Sequence, residues 1–390
     1  MHLTKHKLLQ SLFAMLAMAI VGSVYGWSTT AAIIAASTTW SARQAASVFG
    51  ALSAGIGIGV VFSGGLLPAL GYARTIAAGL MVWGLALLVL SQVGFAVSSG
   101  TLCIILAIFA GAGTGVAYLA LVSFFRTLFT APTVISGLIG PLGFAIGAAA
   151  ISLLLAIRPS VDTVVDVYCA FGVGALLLAV MITFFLVEPP LRNPTSRTTI
   201  ARDGGHDLLY LWALLSLNVV PGMAIIAIAV PWFRITRPWS FHAAILALCA
   251  AVFSLPIGQA LWGFLADRFG DRTVFLLMFS IRCLAFAGSS FSPQSVWPWS
   301  FAFVCLACHG GGFGLVPRLL ARSRMGSDSR RLGLVLSGWG IGGVVGTAAI
   351  LPAVDNPLSQ RGYAIIAALM AVGAVLSVKL QDRRQPTTIS

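Results

Sequence analysis

Apolar runs of roughly twenty residues recur along the whole chain, separated by short polar breaks. Twelve can be drawn, over residues 8–33, 44–70, 73–96, 99–125, 132–157, 163–187, 208–232, 243–266, 273–292, 297–318, 331–352 and 361–379. As a helix, a run of this length crosses about 30 Å of hydrocarbon. A helix also satisfies its own backbone hydrogen bonds, which lipid cannot do for it. The ten-residue alternation of an outer-membrane barrel is absent. The pattern predicts an all-α membrane protein with twelve transmembrane helices. The first run follows Lys5 and Lys7 as a signal peptide would, but its length and its eleven successors favour a retained helix.

The longest polar break is 188–207, where Pro189, Pro190 and Pro194 forbid a continuous helix. It divides the runs six and six. The expected organisation is an N-terminal lobe over 1–187, a cytoplasmic linker over 188–207 and a C-terminal lobe over 208–390. The halves repeat a glycine pattern at one shift of 199 residues: Gly64 with Gly263, Gly71 with Gly270, Gly113 with Gly312, Gly115 with Gly314, Gly143 with Gly342 and Gly147 with Gly346. Parallel six-helix repeats place a solute site between the lobes near mid-membrane. That makes transport the expected function.

Composition agrees with the pattern. Hydrophobic residues make up 59% and charged residues 8%, against about 25% charged in soluble domains, so no water-facing globule can be built. The net charge of +13 raises a nucleic-acid partner as a possibility. Its distribution removes it, because most basic residues, among them Arg74, Arg126, Arg268, Arg272, Arg318, Arg322, Arg330 and Arg331, fall on the side that carries Lys5 and Lys7. This is the positive-inside bias. It predicts a multi-pass protein of the cell inner membrane with both termini cytoplasmic. The expected partners are a small-molecule solute and the lipid bilayer, with no nucleic acid and a monomeric state.

The six cysteines all lie in apolar stretches. Cys305 and Cys308, next to His309, have metal-like spacing but no second ligand pair, so core packing is the expected role and no metal is assigned. No P-loop, G-x-S-x-G or H-E-x-x-H occurs. No cofactor and no enzymatic activity are expected.

The segment Gly263-Phe-Leu-Ala-Asp267-Arg268-Phe-Gly270-Asp271-Arg272 resembles the G-x-x-x-D-R-x-G-x-R loop of the major facilitator superfamily. Its counterpart in the first half keeps Gly64 and Gly71 but has Pro68 and Ala69 where the charged pair would stand. Gly111-Ala-Gly113-Thr-Gly115-Val-Ala-Tyr118, Gly310-Gly311-Gly312-Phe313-Gly314-Leu-Val-Pro317 and Ser337-Gly338-Trp339-Gly340 resemble the oxalate/formate antiporter and monocarboxylate transporter branch. The resemblance implies the two-lobe major facilitator fold and secondary transport by alternating access. It also implies that the first, fourth, seventh and tenth helices line the cavity. Gln259 stands where the oxalate carrier has a basic residue, and Ser337, Gly338 and Trp339 occupy the region of its second one. Two fixed cations suit a dianion, so a monocarboxylate is the expected solute. An exporter of amphipathic compounds is the alternative, and a transporter-like solute sensor a further one.

Arg282 lies about 15 Å from the cytoplasmic end of its helix, near mid-membrane, where an arginine costs about 2.5–3.5 kcal/mol on insertion scales. It is read either as a counter-charge for an anionic solute or as a structural partner to a neighbouring helix. Tyr25, Tyr118, Asn218, Gln259 and His309 complete the expected substrate-binding set. Gly263, Asp267, Arg268, Gly270 and Arg272 are expected to lock helix ends and gate the inward side. The ten acidic residues all fall at span ends or in breaks, which argues against a multi-carboxylate proton pathway.

Overall fold

The computed structural model describes residues 5–94, 100–128, 134–187, 204–236, 239–291, 298–323, 328–355 and 360–380. The described residues form eleven long apolar helices, one of them 52 residues long. That one, Ala42–Val93, is two spans joined at Gly71, whose φ of 79° reverses the chain. The spans are therefore α1 (Lys7–Ser37), α2 (residues 42–70), α3 (residues 72–93), α4 (Gly100–Leu128), α5 (Val134–Ile157), α6 (Val161–Phe185), α7 (Gly204–Thr236), α8 (Phe241–Phe269), α9 (Asp271–Phe291), α10 (Pro298–Arg322), α11 (Ser329–Ala353) and α12 (Gln360–Ser377). The twelve expected spans are all present. The expected linker lies outside the described residues over 188–203, and its last four positions already belong to α7.

Helix starts follow local chemistry. Ser41 caps α2 in a reciprocal box with Gln44, Ser160 caps α6, Ser240 caps α8 and Asp328 caps α11. Gly270, with φ of 90°, turns α8 into α9 as Gly71 turns α2 into α3. Only glycine adopts this backbone region without strain.

The shared glycines explain the repeat. In the first lobe, an added Cβ would meet Met15 O at 3.0 Å from Gly143 and Ala19 O at 1.7 Å from Gly147, so α5 lies directly on α1. In the second lobe, Gly342 and Gly346 stand in the same way on Ser216 O and Val220 O, at 2.4 and 2.2 Å, which lays α11 on α7. Gly55 against Ile108 O pairs α2 with α4, and Gly258 against Ala307 O pairs α8 with α10. Lipid offers no hydrophobic drive to join helices, so close backbone approach and dispersion do that work.

Two seams join the lobes. Along the first, α2 meets α11: Gly57 packs on Gly340, and Ser329 Oγ donates to Gly64 O at 3.1 Å. Along the second, α5 meets α8, where the Cys249 thiol points to Ala149 O at 3.9 Å. Large apolar side chains such as Phe62, Phe184, Leu284 and Phe291 project from the outer helix faces, a surface suited to hydrocarbon.

Candidate functional site

α1 does not run straight through the membrane. A 3₁₀ turn, Ser23–Gly26, interrupts it. Gly22, just before the turn, and Gly26, its last residue, press on the α5 backbone near Phe144 and on Ile151, with no room for a side chain. A mid-helix 3₁₀ stretch commonly marks a functional position. Here it carries Tyr25, 2% exposed, at the boundary between the lobes.

The Tyr25 hydroxyl lies 2.9 Å from His309 Nε2 in α10. Either the phenol donates to a neutral Nε2, or an Nε2–H donates to the phenol oxygen. His309 Nδ1 makes no hydrogen bond of standard geometry and lies against the α7 backbone at Val219 and Gly222. Behind His309 the chain of polar contacts continues. Asn218 Nδ2 donates to His309 O at 3.1 Å. Arg282 donates from Nη2 to Asn218 Oδ1 at 2.7 Å, from Nη1 to Asn218 O at 2.6 Å and from Nε to Met278 O at 2.9 Å. Its guanidinium also sits over the Phe279 ring, 5.1 Å from the centroid. Four helices, α9, α7, α10 and α1, are thus tied in series.

Glycines make the space for this series. A Cβ at Gly222 would come within 2.4 Å of His309 Nδ1, and one at Gly312 within 2.0 Å of Asn218 Nδ2. Gly314 does the same for Gln259, at 2.8 Å from its Cγ.

Tyr25 and His309 form one wall of a cavity between the lobes. Tyr118, Phe144, Gln259, Phe313 and Trp339 line the rest, with Pro141, Leu255 and Gly310. The aromatic rings meet edge to face: Trp339 is 4.9 Å from Tyr118, 5.1 Å from Phe313 and 6.2 Å from Tyr25 between centroids. Such pairs add to the stability gained from burial alone. Trp339 Nε1 is buried, makes no hydrogen bond of standard geometry and lies toward the Tyr25 hydroxyl. Among the described residues, no charged side chain lines the cavity.

Four of the six expected binding residues, Tyr25, Tyr118, Gln259 and His309, therefore meet at one cavity. Asn218 and Arg282 stand behind it, both fully buried and committed to each other. Arg282 does not reach the cavity wall, so its nearest partners are helix carbonyls and an amide rather than the solute space. Phe144 was not singled out from the sequence, and Phe313 and Trp339 were named there only within stretches that carry a resemblance, not as binding residues. The signal available for them was an aromatic residue next to glycines in the fifth, tenth and eleventh spans.

The loop motif sits apart, at one end of α8, α9 and α10. Arg318 of α10 pairs with Asp267 at 2.6 Å and also with Asp271, while Arg322 reaches Asp271 at 3.3 Å. Arg318 thus clasps the α8–α9 turn. Gly263 faces open space, and Arg268 and Arg272 are exposed.

Comparison with known proteins places this architecture. The model of the Major Facilitator Superfamily matches residues 212–389. A variant of the nucleoside transporter NupG superposes with a TM-score of 0.70 at 14% identity, covering 96% of this chain and 99% of that one. A D-xylose-proton symporter gives 0.68 at 15% identity, covering 95% of this chain and 97% of its own. The E. coli fucose:proton symporter FucP gives 0.59 at 18% identity, again covering 95% and 97%. No curated protein matches the chain by sequence. The chain has the major facilitator fold.

Proposed function

We propose that this chain is a secondary active transporter of the Major Facilitator Superfamily that carries a small organic anion with an apolar body, a monocarboxylate, by alternating access. The supporting observation is the aromatic cavity between the lobes, backed by a guanidinium that no carboxylate neutralises. Arg282 makes no ion pair among the described residues. Its charge acts on the cavity through Asn218 and His309 in a medium of low dielectric, where Coulomb attraction extends further than in water. The rings supply dispersion to the solute body, and Gln259, Tyr118 and the Trp339 N–H supply neutral hydrogen-bonding groups. No step of bond chemistry is proposed.

The second reading is an uncharged ring-bearing solute. It is favoured by the lack of any charged residue on the cavity wall among the described residues and by the sugars and the nucleoside named for the similar structures. Both termini are proposed to be cytoplasmic, on the charge bias of the sequence.

The test is uptake by proteoliposomes of labelled monocarboxylates beside labelled pentoses and nucleosides, with and without an imposed pH gradient. Saturable carboxylate uptake that a Trp339→Ala variant loses supports the anion reading. Uptake confined to the neutral panel replaces it with the second. No uptake of either class, in protein shown to be folded, overturns both.

A further inference from the structure

An anion inside a bilayer needs a counter-charge, yet the cavity between the lobes has no charged side chain on its wall among the described residues. Arg282 stands behind that wall and is committed to Asn218 and to helix carbonyls. One wall residue can acquire a charge near neutral pH, and that is His309. The other titratable groups around it are the phenols of Tyr25 on α1 and Tyr118 on α4, and the thiols of Cys305 and Cys308 on its own helix. Phenols and thiols keep their protons at neutral pH. The elements α5, α7, α8 and α11 present Phe144, Gly222, Gln259 and Trp339, none of them titratable. From α9, Arg282 acts on His309 across Asn218.

The conformation described here keeps His309 from a solute. The cavity holds about 30 Å³, room for water and not for an organic anion. The Tyr25 hydroxyl occupies Nε2 at 2.9 Å, and Nδ1 packs on Gly222 within its own lobe. Tyr25 belongs to the other lobe, so this bond breaks when the lobes part. Nε2 is then the ring atom left on the opened wall. The ring takes a proton from the water that enters, and Nε2 carries an N–H whichever tautomer came before. The imidazolium so formed stands with Arg282 as a second cation, and Arg282 makes no ion pair among the described residues. An anion from outside relieves that pair of charges. By the same linkage, a bound carboxylate favours the protonated ring.

Resting on the transport reading above, we infer that His309 is the switchable counter-charge of the site, which takes up one proton with each anion it binds and stays neutral for an uncharged solute. The solute carboxylate accepts from Nε2–H in the place that Tyr25 occupies in the closed form. The proton passes from water to the ring, and no other covalent bond changes. Anions and neutral solutes are thus two ligand classes of one wall, selected by protonation.

Butyrate and butyramide are matched probes, alike in body and different in charge. Each is titrated calorimetrically into the purified full chain between about pH 6 and pH 8. Two buffers of different ionisation heat count the protons taken up. Isotope-edited infrared spectra of labelled butyrate show whether the bound ligand is carboxylate or acid. The expected result is about one proton per butyrate toward the upper end of that range, with the ligand bound as carboxylate. Its affinity should fall up to about tenfold for each unit rise in pH. Butyramide should bind with no proton and no pH dependence. His309→Gln should bind butyrate at least about tenfold more weakly and without proton uptake. The wild-type calorimetry and spectra decide by themselves if that variant does not fold.

Butyrate bound without proton uptake, or bound as the acid, overturns the inference and leaves the anion reading standing. Proton uptake that persists in His309→Gln does the same. Binding of butyramide alone removes the anion reading, and binding of neither probe to folded protein removes the solute site. The inference falls with either.

Discussion

The Tyr25 hydroxyl and His309 Nε2 meet at 2.9 Å across the boundary between the lobes, although 284 positions separate them in sequence. One residue comes from a break in α1 and the other from a glycine-rich stretch of α10. Their bond is the end of a series that starts at Arg282 and passes through Asn218. The cavity wall and the lobe contact therefore share these two side chains.

Tyr25→Phe removes the hydrogen bond and keeps the ring against Phe144 and Trp339. A neutral hydrogen bond contributes about 0.5–1.5 kcal/mol, so the balance between lobes together and lobes apart should shift up to about tenfold toward apart. Distances between spin labels on the two lobes report this directly. An unchanged distance distribution removes the bond from any account of lobe closure.

Arg282→Gln should reduce the amount of folded protein, because Asn218 Oδ1 and the surrounding carbonyls lose their donor. Leaving a buried polar group unmatched costs about 1–3 kcal/mol. Combining Arg282→Gln with Asn218→Ala should cost little more than Arg282→Gln alone, since the two residues act as one unit. Surface level and transport rate are measured together. Normal abundance with lost transport assigns the charge to the solute, and normal values of both remove Arg282 from site and scaffold alike.

Gly222→Ala should displace the His309 ring, because the new methyl would stand 2.4 Å from Nδ1. Lost transport with a retained helical spectrum is the expected outcome. Gly263→Ala, whose Cβ meets nothing within 4 Å, serves as the matched control and should behave as wild type. Equal loss in both variants would show that general helix packing, and not the imidazole, is sensitive.

Arg318→Ala should loosen the junction of α8, α9 and α10. The pair with Asp267 is largely solvated, with Asp267 67% exposed, and exposed pairs contribute about 0.2–1 kcal/mol. A small drop in the thermal midpoint is expected, shrinking in 1 M salt, where the screening length is about 3 Å. A salt-independent drop would assign the effect to lost packing.

Twelve spans, six and six, are legible because lipid imposes one length and one composition on each. The glycine repeat is legible too, since Gly143, Gly147, Gly342 and Gly346 mark backbone contacts that admit no Cβ. The depth of Arg282 also reads from the sequence, but its partner does not. Asn218 is 64 positions away, and only the packing of α7 on α9 and α10 brings it there. Trp339 was not read as a binding residue for a related reason: an indole in an apolar span reads as core until four other rings converge on it from four more helices. In the sequence Arg318 adds only to the charge bias, because nothing local shows that Asp267 and Asp271 fold back onto it.

The two reversals at Gly71 and Gly270 are joints one residue long. A joint that short has no slack. The spans on either side cannot slip past each other in register, so α2 with α3, and α8 with α9, travel as fixed elbows. One arm of each elbow, α2 or α8, lies in a seam between the lobes. The other arm, α3 or α9, packs on the outer helix of its own lobe, α6 or α12. A tilt at the seam would thereby be carried to the lipid-facing side, and the thickness of the surrounding bilayer would bear on the same elbows.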